Sequence, residues 1–74
     1  MNVMANQDIL AGQWKQAQGM LKHWWGKLTD DDLKQITGHV DILIGKVQER
    51  YGYTREQAEK EVVRFIEQLD KPKS

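Results

Sequence analysis

Apolar residues recur at helical spacing along this chain, and at three points the pattern stops at a glycine and restarts. Leu10, Trp14, Ala17, Leu21, Trp24, Trp25 and Leu28 fall within about one third of a helix circumference when each residue is turned by roughly 100°. Such a stripe must face a core. Val40, Leu43, Ile44, Val47 and Tyr51 make a second stripe, and Ala58, Val62, Phe65, Ile66 and Leu69 a third. The fold class that follows is all-α.

The signals between the stripes predict where helices begin and end. Asn6 can cap a first helix, with Asp8 near its positive end. Gly26 can end it in a left-handed conformation, and Thr29 starts the next helix with Asp32 three positions on, a capping-box spacing. The stretch Trp24 to Leu33, WWGKLTDDDL, therefore reads as a hinge. Its three aspartates have a structural explanation, because carboxylates in a first helical turn meet the helix N-terminus. After the short DDLKQI helix, Thr37-Gly38 is a break, Gly52 stops the following helix, and Thr54 with Gln57 repeats the cap signal. Pro72 pushes its predecessor out of helical space and closes the last helix. The expectation is a bundle of about four helices in one domain spanning 1–74, with short flexible ends at about 1–6 and 71–74.

With 74 residues, the chain buries only about 60 % of its unfolded surface, so each buried tryptophan matters. Eleven basic side chains balance eleven acidic ones, which removes the net attraction that drives non-specific binding to nucleic acids or anionic membranes. The absence of cysteine excludes disulfides, thiolate catalysis and cysteine zinc sites, and suits a reducing cytoplasm. MNVMANQDIL has no basic region leading into a long apolar run, and no segment approaches the roughly 20 apolar residues of a membrane span. Met4 is a candidate alternative start.

Gly12, Gly19 and Gly26 are spaced by seven, as are Gly38, Gly45 and Gly52. Trp25 precedes Gly26 as Tyr51 precedes Gly52, and a threonine-capped start follows each, at Thr29 and Thr54. Two helical hairpins of related design are expected. On a helical wheel Gly19 and Gly45 lie opposite the apolar stripes, and a mid-helix glycine costs about 1 kcal/mol relative to alanine. Close approach by another helix or a partner would offset that cost; the simpler account is an exposed face. Ile42 shares the face of Gly45, which favours close approach by another helix and predicts that Gly45→Ala destabilises.

Catalytic and ligand-binding signatures are missing. His23 and His39 lie sixteen residues apart without an i,i+4 ligand partner. Asp31/Asp32 and Glu59/Glu61 have nothing to place them in an apolar pocket that splits their acidities. Gly26-Lys27 and Gly45-Lys46 lack the Ser or Thr of a phosphate loop. Adjacent helical residues point about 100° apart, so Trp24 and Trp25 are not both expected to be fully buried, and the more exposed one is a natural anchor for a partner. Arg50, Arg55, Lys60 and Arg64 alternate with glutamates as on a solvated helix face.

The blocks GQWKQAQGMLKHWWGKLTDDDL and GHVDILIGKVQERYGYTREQAEKEV resemble the CsbD-like family of small bacterial general-stress proteins over about residues 9 to 69. The resemblance implies a cytosolic, SAM-domain-like fold of two crossed helical hairpins, and it brings no reaction, catalytic residue or cofactor. Met20 stands where the family commonly has a lysine. The reading is a non-enzymatic stress-response protein acting through protein contacts or abundance, without cofactor or metal and expected as a monomer. Trp24, Gly38, Ile42 and Gly45 are the candidate partner contacts. The alternative is a weak nucleic-acid-binding module, favoured if Lys22, Lys27, Lys34 and Lys46 cluster on one face.

Overall fold

The computed structural model describes residues 3–71, with side chains from Asn6 onward. Five helices account for most of these residues: α1 (Val3–Gly12), α2 (Trp14–Trp24), α3 (Asp30–Ile36), α4 (Val40–Tyr51) and α5 (Arg55–Asp70). No strand occurs among the described residues. Pro72 and its expected helix-closing role lie outside them.

The expected single first helix is two. Gln13, at φ −115° and ψ 25°, leaves helical geometry between α1 and α2. Hydrogen bonding continues across the break, with Gln13 N–H donating to Ile9 O at 3.0 Å and Ala17 N–H to Gln13 O at 2.8 Å. The change of direction lets α1 pack on α5 and α4 while α2 also reaches α5. Leu10, Ala17 and Leu21 are all fully buried as a result. Asn6, expected as a cap, lies inside α1.

The glycine stop also differs at its first occurrence. α2 ends at Trp24, its cap is Trp25 at φ −132°, and positive φ among glycines belongs to Gly38 and Gly52 alone within the described residues. Trp25 N–H reaches Leu21 O at 2.8 Å and Leu28 N–H reaches Trp25 O at 3.0 Å. This turn drives the Trp25 ring inward, so no left-handed residue is needed at Gly26. The second stop behaves as expected, with Gly52 left-handed at φ 70°.

α4 and α5 form the most extensive helix pair, α1 packs on both, and α3 lies on α4. Between them sits one apolar core, of which Phe65, Leu10, Leu21, Ile36, Leu43 and Ile66 are the largest fully buried apolar members. The Cα radius of gyration of 11.3 Å matches the roughly 11 Å of a compact domain of this length.

An unanticipated cap joins α1 to α4. His39 precedes α4 but makes no side-chain cap bond. Gln7 caps the helix from across the fold, its Oε1 accepting the Val40 N–H at 2.9 Å and its Nε2 donating to Gly38 O at 2.8 Å. One amide thus satisfies an orphan helix donor and a turn carbonyl.

No helix among the described residues is long and apolar enough to cross a membrane.

Candidate functional site

The three aspartates at the start of α3 have three different fates. Asp30 is exposed and paired with Lys22, which holds its carboxyl below the usual carboxylate range. Asp31 accepts from Gln35 Nε2 at 3.1 Å on the surface. Asp32 is 1 % exposed. Its Oδ2 accepts the Thr29 N–H at 3.0 Å while Thr29 Oγ1 accepts the Asp32 N–H at 3.1 Å, so the expected capping box is present.

Asp32 carries a second role that the cap signal did not indicate. Arg50, one helix away on α4, clasps it with Nε–Oδ2 at 2.9 Å and Nη2–Oδ1 at 3.0 Å, and Lys46 Nζ lies 3.6 Å from Oδ1. The Arg50 hydrogen bonds, opposed by burial and assisted by Thr29, hold the Asp32 carboxyl far below the usual range; the same contact raises Arg50. Such a carboxylate is a fixed acceptor and a poor proton carrier. The cluster clamps the α3 start to α4. Thr29→Ala removes one partner of the box and is expected to cost about 1 kcal/mol, measurable as a lower denaturation midpoint.

A second contact joins the turn after α2 to the end of α4. Lys27 N–H donates to Tyr51 Oη at 3.1 Å, the Lys27 ammonium lies 5.1 Å from the Tyr51 ring centroid, and Tyr53 stacks on Tyr51 with centroids 5.6 Å apart.

The candidate contact residues are scattered. Trp25 is buried, whereas Trp24 is 38 % exposed and meets Phe65 edge-on at 5.6 Å. Ile42, at 39 % exposure, shares the outer side of α4 with Gly45 three residues on. Gly38 is buried beneath Ala11. No helix rests on Gly45 or Gly19, since a Cβ at either position meets nothing within 4 Å. That overturns the expected destabilisation by Gly45→Ala: both alanine variants are now expected to stabilise by about 0.4–1 kcal/mol, read from chemical denaturation.

The lysines do not form a stripe. Lys46 attends Asp32, Lys22 pairs with Asp30, and Lys27 covers Tyr51, while Lys22 and Lys34 line one cleft. His23 and His39 are exposed and lie in different segments. No cluster of three or more metal-binding side chains occurs among the described residues. A cleft of about 340 Å³ between α4 and α5 has a floor that includes Val40, Ile44 and Val62. Its rim charges pair with one another, as Arg55 with Asp41 and Glu59, and Lys60 with Glu56.

The profile of the CsbD-like family matches residues 8–60, a span that holds the Asp32 clamp and both turns. The chain belongs to the CsbD-like family. Among its relatives, the UPF0337 protein YjbJ of Salmonella typhimurium is 60 % identical over 60 residues, covering 81 % of this chain and 86 % of the relative. The UPF0337 protein PA4738 of Pseudomonas aeruginosa is 52 % identical over 64 residues, covering 86 % and 98 %. The UPF0337 protein ECA0631 of Pectobacterium atrosepticum is 60 % identical over 57 residues, covering 77 % and 83 %. The CsbD-like match begins at residue 8, so Gln7 lies just outside it while its partners Gly38 and Val40 lie within.

Proposed function

We propose that this CsbD-like chain is a non-enzymatic protein of the bacterial general stress response, acting in the cytoplasm through protein contact or through its abundance. The observation that supports this reading most is the division of labour among side chains. Among the described residues the one buried carboxylate is locked by Arg50 and Thr29, while two large apolar side chains, Trp24 and Ile42, stay at the surface. An aromatic side chain such as that of Trp24 anchors protein partners out of proportion to its area. The dispersed lysines give the nucleic-acid reading no comparable support.

Crosslinked pull-down from stressed cells tests the contact reading. A partner recovered with the parent protein is expected to be lost or strongly reduced with Trp24→Ala and with Ile42→Ser. Equal recovery with both variants would place the contact elsewhere.

A further inference from the structure

Gly19 remains unexplained by the domain's own packing. It sits within α2, a Cβ there meets nothing within 4 Å, and its φ is not positive. Neither backbone conformation nor an internal neighbour calls for glycine, although glycine weakens a helix. Its surroundings are distinctive. Lys15, Gln18, Gly19 and Lys22 follow the i, i+3, i+4, i+7 spacing of one helical stripe. From residue 9 to 29 the chain carries three lysines and His23 but no acid, within a molecule of zero net charge. Beside Gly19 a cleft of about 370 Å³ opens between α2 and α3, with Leu33, Asp30 and Lys34 completing its lining.

We propose that this cleft takes an acidic peptide segment of a partner protein. The bare backbone at Gly19 lets the segment come close to α2, while its carboxylates meet Lys15, Lys22 and Lys34. Lys34 makes no ion pair among the described residues, and Lys22 is held only by the exposed Asp30. Charge complementarity therefore selects an anionic partner. Asp30 selects a peptide over a nucleic acid: a peptide can offer it a backbone N–H, whereas a regular row of phosphates must repel it. This surface is separate from Trp24 and does not depend on that side chain.

Titration of the isotope-labelled full chain with a hexaglutamate peptide tests the proposal by amide chemical shifts. Changes are expected to concentrate at Gly19, Lys22 and Lys34 and to vanish with hexaglutamine. Gly19→Leu covers the bare backbone from a position where a Cβ meets nothing within 4 Å; affinity is expected to fall by at least about tenfold, about 1.4 kcal/mol. Lys34→Gln should weaken binding in the same direction. Shifts spread evenly over all lysines, including Lys60, would overturn the proposal, as would undiminished binding by the Gly19→Leu protein. Tighter binding of an oligonucleotide of equal charge at the same amides would also overturn it, in favour of a nucleic-acid surface.

Discussion

Asp32→Ala is expected to remove about 3 kcal/mol of stability, combining the loss of a helix cap with the loss of charge-assisted hydrogen bonds. For a domain of this size the melting temperature should fall by roughly 12–24 °C. Burial and the number of donors served set the size of the effect. Asp32 is 1 % exposed and accepts from the Thr29 backbone and from two nitrogens of Arg50. Alanine leaves Thr29 N–H and the Lys46 and Arg50 charges without their acceptor. Asp32→Asn separates the two contributions, because an amide oxygen still accepts from Thr29 but carries no charge for Arg50. Its stability should lie between those of the parent and the alanine variant. Thermal denaturation showing all three alike would mean that the clamp contributes nothing to the fold.

The same clamp fixes the sign of an acid effect. Arg50 holds the folded Asp32 well below the ordinary carboxylate range, whereas the unfolded chain titrates near about 3.9. The unfolded state thus binds the proton first as the solution is acidified. The contribution is fully present above the unfolded value and is lost progressively as pH falls below about 4 toward the folded value. The stability gap between the parent and Asp32→Asn should therefore be wide at neutral pH and narrow on acidification. Asp30 is lowered in the same direction by Lys22, but that pair is exposed and surface pairs contribute little.

The cap half of this site was legible in the sequence because Thr29 and Asp32 are three residues apart and their bonds are local. The clamp half was not, because Arg50 lies 18 residues further on and on α4 it resembles any charge on a solvated face. Only the packing of α3 on α4 distinguishes it from Arg55, which pairs at the surface. Gln7 was hidden for the same reason: a glutamine inside a helix signals nothing, and its partners are Gly38 and Val40 across the fold. The break at Gln13 carries no proline, so the apolar stripe reads as continuous although the helix is not. Most core positions of α2, α4 and α5 were readable, since periodicity depends on local geometry alone; α3 is too short to show a period, so its buried Leu33 and Ile36 were not picked out, and Trp14 and Tyr51 are only half-buried. Trp25 and Trp24 needed the structure as well. The wheel showed that they diverge, but the turn that buries Trp25 decided which one stays exposed.

Gly38→Ala should be the most damaging glycine substitution, at about 2–4 kcal/mol from conformational strain together with overpacking. Thr37 and Gly38 both take positive φ, at 37° and 80°, to reverse the chain between α3 and α4. Thr37 already holds its turn with Oγ1 donating to Lys34 O, so the reversal has little freedom to adjust. A Cβ on Gly38 would also stand 3.0 Å from Ala11 Cα. That atom is backbone in α1 and cannot rotate away. Moving α1 aside would pull Gln7 from Gly38 O and Val40 N–H, which are held at 2.8 and 2.9 Å. Gly52 supplies the control, being left-handed at φ 70° with nothing within 4 Å of a Cβ. Gly52→Ala should show only the conformational cost, about 1–2 kcal/mol. The difference between the two variants in chemical denaturation isolates the close approach of α1. Ala11→Gly removes a Cβ 3.5 Å from the new methyl group but leaves the nearer Cα in place, so it should not rescue Gly38→Ala. If Gly38→Ala and Gly52→Ala cost the same, the seat of α1 on the α3–α4 turn is looser than these distances require.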